Sequence, residues 1–402
     1  MFKAVVGHSE DVDSIDAVNE VLSQCRREAP GLIPNAGFLF TSIDYNHETI
    51  LKQINKRHPG LPLIGCTTDG ELSSKLGFKD DSVTLILFFS DRIRFGAGLG
   101  INLSKNIKQA CNSAVTGART ALKNKPPGLA VITPDSLTVS GVKVLDSLTR
   151  ELGTGFPVFG GTAGDQYRMK KTFQFFGDRV YSDAVPVMLF SEPIAFSFGI
   201  GSGWRPEGRK LKVTKVKDNV VYKIDNRPAL DIYLHYFGKG SAIFGEYPVA
   251  VFNKKTDNSF YIRSPIQFND RDGSIVYSAD IPPNAYIRFS EGTRNDLIEA
   301  AEEAVKDAVS GFPGSKPEAA IIFSCSARKA LLGTRTREEF NIITGALDKD
   351  IKVCGFYTYG EVGPCKLCNY PSFHNSTFIT LLFGEKAVSY THLRAHETVL
   401  DL

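Results

Sequence analysis

Glycine, hydroxyl and carboxylate side chains occur together at three places in the chain. The stretch LIGCTTDGE (63–71) is echoed by VCGFYTYGE (353–361) and, more loosely, by VFGGTAGD (158–165). Glycine allows positive φ or the close approach of a ligand, while hydroxyls and carboxylates bind polar groups. The candidate ligand-binding residues in these stretches are Thr68, Gly70, Glu71, Asp165, Gly355, Tyr357, Thr358, Gly360 and Glu361. The alternative is that the glycines only form turns and the acids cap nearby backbone.

Each stretch closes a predicted strand–helix–strand unit. In the first unit a buried strand at 37–42 precedes an amphipathic helix at 47–57, and the strand LPLIGC (61–66) follows. The same order of elements begins again at residues 129 and 319. In open α/β sheets ligands bind beyond the carboxyl ends of the strands, which is where the repeated stretches lie. Their location therefore favours a function.

The repeated order predicts an α/β protein of two related domains, built from βαβ units in mixed sheets with helices packed on them. The first domain spans residues 1–208 and the second spans 209–386, because Gly and Pro cluster in GSGWRPEGRK (201–210). The last stretch, AVSYTHLRAHETVLDL (387–402), resembles a tail that recurs on unrelated environmental sequences and is translated from adapter DNA. We therefore leave it out of the fold.

Three polar elements are expected to converge on the third repeated stretch. Arg328 follows the first strand of its unit, and His374 and Asn375 precede the strand that comes next. The planar guanidinium of Arg, a Glu, a Tyr hydroxyl and an Asn amide together match a small zwitterion or carboxylate. We expect the principal pocket here, with Arg328 binding a ligand carboxylate and Glu361 a ligand ammonium. The alternative for Arg328 is a surface salt bridge.

Charge and hydropathy exclude several classes of partner. Lys plus Arg number 47 against 44 Asp plus Glu, a small and evenly spread excess that does not predict nucleic-acid binding. The longest apolar runs, such as VTLILFF (83–89), are shorter than the roughly 20 residues of a membrane helix. The amino terminus lacks the apolar core of a signal peptide. We expect a cytoplasmic protein without a membrane partner.

The seven cysteines are odd in number and irregularly spaced, so we expect thiols and not a disulfide framework. CKLC (365–368) has the spacing of a zinc knuckle or a redox pair. A zinc site normally has a second pair, and a redox pair normally opens a helix. We interpret Cys365 and Cys368 as loop thiols, keep zinc and redox roles as alternatives, and expect no metal and no cofactor.

Catalytic motifs are absent from the sequence, which has no GxSxG elbow, Walker loop, HExxH or kinase motif. The best candidate nucleophile for an active site is Cys66, which lies beside Thr67, Thr68 and Glu71. It lacks a paired base, so we do not expect an enzyme.

Several of these residues lie in motifs that resemble the FIST domains. These are sensory input modules of bacterial signalling proteins and also occur in eukaryotic F-box proteins. The amino-terminal part resembles the FIST N domain in IGCTTDGE and in GGTAGDQYRMKKTFQFFGDRVYSDAVPVMLF. The carboxyl-terminal part is similar to the FIST C domain in NRPALDIY, CSAR, GFYTYGEVGP and HNST. The resemblance implies small-molecule sensing, with amino acids suggested as ligands, and does not imply an enzyme.

The sequence thus predicts a small-ligand sensor in intracellular signal transduction that binds an amino acid or a similar small carboxylate. No kinase, cyclase or receptor segment follows the FIST C-like part. We therefore expect the protein to signal through a protein partner. Two alternatives remain, an enzyme that uses the Gly/Thr/Glu turns and an interaction scaffold without a ligand.

Overall fold

A computed structural model describes residues 1–238, 247–314, 316–365 and 370–386. Cys368 and the tail at 387–402 lie outside these ranges.

The chain forms three repeated α/β units and an inserted sheet. The first unit contains β1 (Phe2–Ser9), α1 (Ser14–Glu28), β2 (Ala36–Thr41), α2 (His47–Arg57), β3 (Leu63–Thr67), β4 (Glu71–Ser73), β5 (Gly77–Lys79) and β6 (Val83–Ser90). The second contains β7 (Phe95–Ile101), α3 (Ile107–Ala121), β8 (Pro127–Ile132), α4 (Gly141–Leu152), β9 (Val158–Gly161), β10 (Gln174–Phe176), β11 (Arg179–Tyr181) and β12 (Ala184–Ser191).

The third unit is interrupted after its first strand, β13 (Ile194–Gly201). The insertion contains β14 (Arg205–Lys217), β15 (Val220–Ile224), β16 (Arg227–Pro228), α5 (Ala229–Phe237), β17 (Val249–Phe252), β18 (Tyr261–Arg263), β19 (Pro265–Asn269), β20 (Ser274–Tyr277) and β21 (Tyr286–Glu291). The unit resumes with α6 (Arg294–Ser310), β22 (Ala319–Cys325), α7 (Ser326–Leu332), a 3-10 turn (Gly333–Arg335), α8 (Thr336–Ala346), β23 (Lys352–Thr358), β24 (Glu361–Pro364), β25 (Pro371–His374) and β26 (Phe378–Glu385).

The three units exchange hairpins in a cycle. Their six-stranded sheets have the orders β1-β6-β2-β3-β10-β11, β25-β24-β9-β8-β12-β7 and β13-β26-β22-β23-β4-β5. The hairpin that follows β3 therefore joins the third sheet, the hairpin after β9 joins the first, and the hairpin after β23 joins the second. In each sheet one parallel pair combines with antiparallel neighbours, as in β2 beside β3. The predicted α/β architecture of βαβ units in mixed sheets is confirmed.

The helices cover the outer faces of the sheets, and the inner faces meet in one aromatic core. Side-chain caps such as Asp13, Asn46 and Ser140 satisfy backbone N–H groups at helix starts. At the centre Phe190 packs against Phe88 and Phe383, with ring centroids 5.8 and 5.4 Å apart. Because each of these rings comes from the last strand of a different unit, the core holds the three units together.

The insertion forms an eight-stranded sheet that packs beside the three units. The boundary predicted at residues 208 and 209 falls inside β14 of this sheet. Within the described ranges, no helix combines the length and the apolar character that a bilayer crossing requires.

Candidate functional site

The three repeated stretches lie side by side at the ends of β3, β9 and β23. Gly164 N donates to Thr67 O at 2.8 Å, which joins the second stretch to the first. Thr358 Oγ1 donates to Thr162 O at 2.7 Å, which joins the third to the second. The ends of β3, β9 and β23 therefore bring together turns from all three units.

Glu71 and Glu361 are fully buried inside these turns. The hydroxyls of Thr68 and Ser82 donate to Glu71, the latter at 2.5 Å. Oε2 of Glu361 accepts from Thr377 N at 3.0 Å and from Thr377 Oγ1 at 2.6 Å. Burial raises the pKa of both carboxyls to about 8. Both acids are therefore largely protonated at neutral pH, and Glu361 could contact a ligand ammonium only if the turn opened.

Asp165 stabilises the loop that follows it. Its Oδ1 accepts from Met169 N at 2.9 Å, and its Oδ2 accepts from Lys170 N at 2.7 Å and Lys171 N at 3.0 Å. The hydroxyl of Tyr359 donates to Oδ1 at 2.5 Å. These bonds match the alternative in which the acid caps nearby backbone.

Arg328 lies in a buried ion pair and not on the surface. Its guanidinium donates to Glu339 Oε1 at 2.5 Å, to Leu297 O at 2.7 Å and to Ser202 O at 3.0 Å. The hydroxyl of Tyr357 donates to the other oxygen of Glu339 at 2.6 Å. The alternative of a surface salt bridge is wrong, because both members of the pair are almost fully buried. Neither Arg328 nor Tyr357 lines the two cavities described below, and their roles as ligand contacts stay predictions.

The glycines of the stretches allow close packing. A Cβ on Gly355 would stand 2.4 Å from Ile322 O in the neighbouring strand, and one on Gly360 would stand 2.1 Å from the ring of Phe373. Gly70 has a φ of +133°, which side chains rarely adopt. Strand packing and turn geometry therefore explain these three positions.

Two large cavities lie between the inserted sheet and the three units. The Arg263 cavity, of about 600 Å³, is lined by residues that include Asp146, Tyr261, Arg263, Asp280, Phe373 and His374. The Trp204 cavity, of about 550 Å³, is lined by residues that include Trp204, Tyr261, Asp296, Glu299, Glu303 and His374. Both volumes fall within the range of small-molecule sites, roughly 300 to 1,000 Å³. Tyr261 and His374 contribute to both cavities.

The guanidinium of Arg263 is held in place by neutral acceptors. The side chain is 3% exposed. Its Nη1 donates to Ile262 O at 3.0 Å, to Phe373 O at 3.1 Å and to Asn375 Oδ1 at 3.3 Å. Its Nε donates to the backbone oxygen of Asp280 at 3.2 Å. The inserted sheet and β25 therefore fix the position of Arg263 together.

Arg263 has no counter-ion among the described residues. No described carboxylate forms an ion pair with it, and its Nη2 makes no hydrogen bond although this atom is not sealed from the cavity. Burial lowers the pKa of Arg263, but a guanidinium stays charged in proteins. A buried charge without a partner is energetically costly. The carboxylate of Asp280 acts on this charge only at a distance, so the cavity presents a cation without a directly bonded counter-ion.

His374 and Asn375, both predicted as ligand contacts, lie at this site in different ways. Nε2 of His374 lies 3.1 Å from Gly363 O, while Nδ1 has no partner in the described ranges. Burial, together with the charge of Arg263, lowers the pKa of His374 to about 4, so its ring is neutral at pH 7. Asn375 lies behind Arg263 and also donates to Tyr359 O at 3.3 Å. Only His374 lines the cavities.

Sequence reasoning missed Arg263, Asp280 and the acids of the Trp204 cavity. The available signal was a single charged residue inside the short apolar segment FYIRS (260–264). An inward-facing charge in a strand is rare unless it has a partner or a function.

Cysteine chemistry differs in part from the prediction. Cys365 is disulfide-bonded, so its interpretation as a thiol is wrong. Cys368 lies outside the described residues. Cys66, the candidate nucleophile, is completely buried, and burial raises the pKa of its thiol well above the usual value. Across the ranges that the structure describes, no three His, Cys, Asp or Glu side chains are grouped as a metal site.

Comparison with family models locates two domains in the chain. The FIST N domain model matches residues 35–227, and the FIST C domain model matches residues 229–364. The chain belongs to the FIST family. FIST domains are sensory domains of signalling proteins, so the family resemblance predicted from the sequence is confirmed.

An uncharacterised protein of Methanocaldococcus jannaschii is 27% identical to this FIST protein over 320 residues. The match covers 72% of the FIST chain but only 60% of the archaeal protein. Among solved structures, cyanuric acid hydrolase from A. caulinodans aligns with a TM-score of 0.40 and 10% identity, over 96% of the FIST chain and all of the hydrolase chain. A second cyanuric acid hydrolase structure aligns with a TM-score of 0.37 and 8% identity over the same shares of the two chains.

Proposed function

We propose that this FIST protein is a sensor that binds a small carboxylate, such as an amino acid, in the Arg263 cavity and signals through a protein partner. The observation that carries the proposal is the guanidinium of Arg263, which lies at the wall of this cavity and forms no ion pair with a described carboxylate. A ligand carboxylate beside Nη2 would supply the missing negative charge. Hydrogen bonds between a guanidinium and a carboxylate are among the stronger ones in proteins.

The other walls of the cavity suit the rest of an amino acid. The carboxylate of Asp280 is 20% exposed and lies 4.0 Å from Lys143 Nζ, a loose pair that leaves it able to accept from a ligand ammonium. Tyr261 and Phe373 provide apolar surface for a side chain. This arrangement moves the proposed ligand from Arg328 and Glu361, where it was first expected, to Arg263 and Asp280.

Thermal-shift screening of the amino acids and small organic acids tests the proposal. A ligand that binds only the folded state raises the melting temperature, with ~2.7 kcal/mol of stabilisation at a concentration of 100 Kd. The most stabilising compound is then titrated by calorimetry into wild type and Arg263→Gln. We expect Arg263→Gln to weaken binding by roughly thirtyfold or more, because one partner of a desolvated charged pair is lost.

Arg205→Gln is the matched control, because Arg205 lines the Trp204 cavity and is already paired with Asp296. Far-UV circular dichroism confirms that each variant is folded. Unchanged affinity in folded Arg263→Gln, or an equal loss in Arg205→Gln, would remove the Arg263 cavity from the proposal.

Incubation of the protein with a metabolite mixture, followed for both binding and chemical change, separates the two rival functions. Turnover of a metabolite would favour an enzyme, and neither turnover nor binding would favour a scaffold. The support for sensing over catalysis is that Cys66, Thr67, Thr68 and Glu71 are all completely buried, away from both cavities.

A further inference from the structure

The Trp204 cavity differs in charge from the Arg263 cavity. Three carboxylates, from Asp296, Glu299 and Glu303, line it together with one guanidinium, from Arg205. Arg205 and Asp296 neutralise each other through two hydrogen bonds. Glu299 and Glu303 have no ion pair or hydrogen bond among the described residues, so two carboxylates of this cavity are left without partners.

The two unpaired acids are arranged in a row. They lie four residues apart on α6 and therefore share a face of the helix, about 6 Å apart along its axis at ~1.5 Å per residue. Two positive groups a few carbon atoms apart would match this spacing.

His374 adds an independent feature that points to a ligand. The side chain is 6% exposed and lines the cavity. Because Nε2 lies 3.1 Å from the carbonyl oxygen of Gly363, Nε2 carries the proton and donates it. The neutral ring then has a lone pair on Nδ1, which has no partner in the described ranges. A buried acceptor of this kind is normally satisfied by a hydrogen-bond donor, which here can be water or a ligand that enters the cavity.

Aromatic side chains complete the wall. Trp204, Phe260 and Tyr261 all line the cavity. Aromatic faces attract cations, and Trp does so most strongly. Acids, a neutral acceptor and aromatic rings together favour a cation over an anion or a neutral ligand.

We propose that the Trp204 cavity is a second ligand site, which binds an aliphatic diamine or polyamine. One ammonium lies between Glu299 and Glu303, and the other approaches the aromatic wall and His374. This site is separate from the proposed carboxylate site, and it shares only a wall with it.

Fluorescence tests this site selectively, because Trp204 is the only tryptophan of the chain. Titration of the whole protein with 1,4-diaminobutane is expected to change the Trp204 emission in a saturable way. 1,4-Butanediol, which has the same carbon chain without charge, is expected to leave the emission unchanged. Added salt should weaken the diamine titration, because the acids are on the exposed side of the cavity.

Matched variants test whether Glu299 and Glu303 bind the diamine. The double variant Glu299→Gln/Glu303→Gln should lose about tenfold in diamine affinity. Glu302→Gln is the matched control, because Glu302 is on the same helix but pairs with Lys306 and does not line the cavity. Arg263→Gln should retain the diamine titration, which separates this result from the carboxylate proposal. Any of four results would overturn the inference. These are no saturable change with the diamine, an equal response to the diol, an equal loss of affinity in Glu302→Gln, and loss of the titration in folded Arg263→Gln.

Discussion

Asn375 Oδ1 lies 3.3 Å from Nη1 of Arg263, so a neutral amide occupies the place where a counter-ion would neutralise this buried cation. Asn375→Asp should supply that charge from within the protein. The new carboxylate would then compete with a ligand carboxylate for Arg263, and we expect small-carboxylate affinity to fall about tenfold or more. Calorimetric titration with the strongest ligand of the thermal-shift screen measures this loss.

The control for this substitution is Asn258→Asp, which adds the same charge at the wall of the Trp204 cavity. It should leave carboxylate affinity within about twofold, because Asn258 does not line the Arg263 cavity. Carboxylate binding that is as tight in Asn375→Asp as in wild type would show that Arg263 needs no external anion.

Because Arg328 forms a buried pair with Glu339, its substitution should lower stability, whereas the sequence predicted an effect on ligand binding. Arg328→Ala should lower the free energy of unfolding by about 3–5 kcal/mol, because it leaves Glu339 buried without its cation. Urea unfolding measures the change. Arg335→Ala, which breaks an exposed pair with Glu338 on the same helical segment, should change stability little. If Arg328→Ala were as stable as Arg335→Ala, the buried pair would not support the fold.

Two glycines of the third unit should respond to alanine with opposite signs. A Cβ on Gly355 would meet Ile322 O at 2.4 Å, so Gly355→Ala should lose about 1–3 kcal/mol of stability through overpacking. Gly345 has nothing within 4 Å and lies in α8, so Gly345→Ala should gain up to ~1 kcal/mol from helix propensity. Chemical unfolding of both variants checks the signs. A destabilised Gly345→Ala or a neutral Gly355→Ala would contradict the packing described here.

Much of the fold could be predicted from the sequence because its signals are local. The apolar face of α2 repeats at helical spacing between predicted strands, and the helix begins and ends at the expected residues, 47 and 57. The hairpin exchange could not be predicted, because β4 has only three residues and pairs with β23, far along the chain. A segment of three residues carries no periodic pattern from which its paired strand could be predicted.

The site was predictable only where polar residues border a strand within one unit. His374 was found in this way. Arg263 was not, because its burial arises only when the inserted sheet packs on β25, a contact that no local pattern encodes. Conversely, the chemical types of Arg328 and Glu361 predicted ligand contacts, but in the structure both side chains bond to internal partners.

The buried acids Glu71 and Glu361 predict an unusual dependence of stability on pH. Both carboxyls have a pKa of about 8 in the folded protein against an ordinary value of 4.5. Between these values the folded state holds protons that the unfolded state has released, so their contribution is fully present below pH 4.5 and is lost as pH rises through 8. His8 and His374, with pKa values lowered to about 3 and 4, act in the opposite direction, but only below about pH 6.5.

Across the window from pH 6.5 to 8 the two acids dominate, with Asp69 and the amino terminus titrating towards its lower and upper ends, and wild-type stability should fall by up to ~1.4 kcal/mol per pH unit for each acid. Glu361→Gln should flatten this fall and be more stable than wild type at pH 8. Its amide oxygen can accept from Thr377 as Oε2 does, and its NH₂ group takes the place of the protonated O–H beside the thiol of Cys325. Glu71→Gln should also reduce the slope, because its amide, like the protonated carboxyl, offers one acceptor and one donor to the hydroxyls of Thr68 and Ser82. Urea unfolding at pH 6.5, 7.2 and 8, with the exposed Glu338→Gln as control, measures these slopes. A Glu361→Gln slope equal to that of wild type and Glu338→Gln would mean that Glu361 is already ionised in the folded protein.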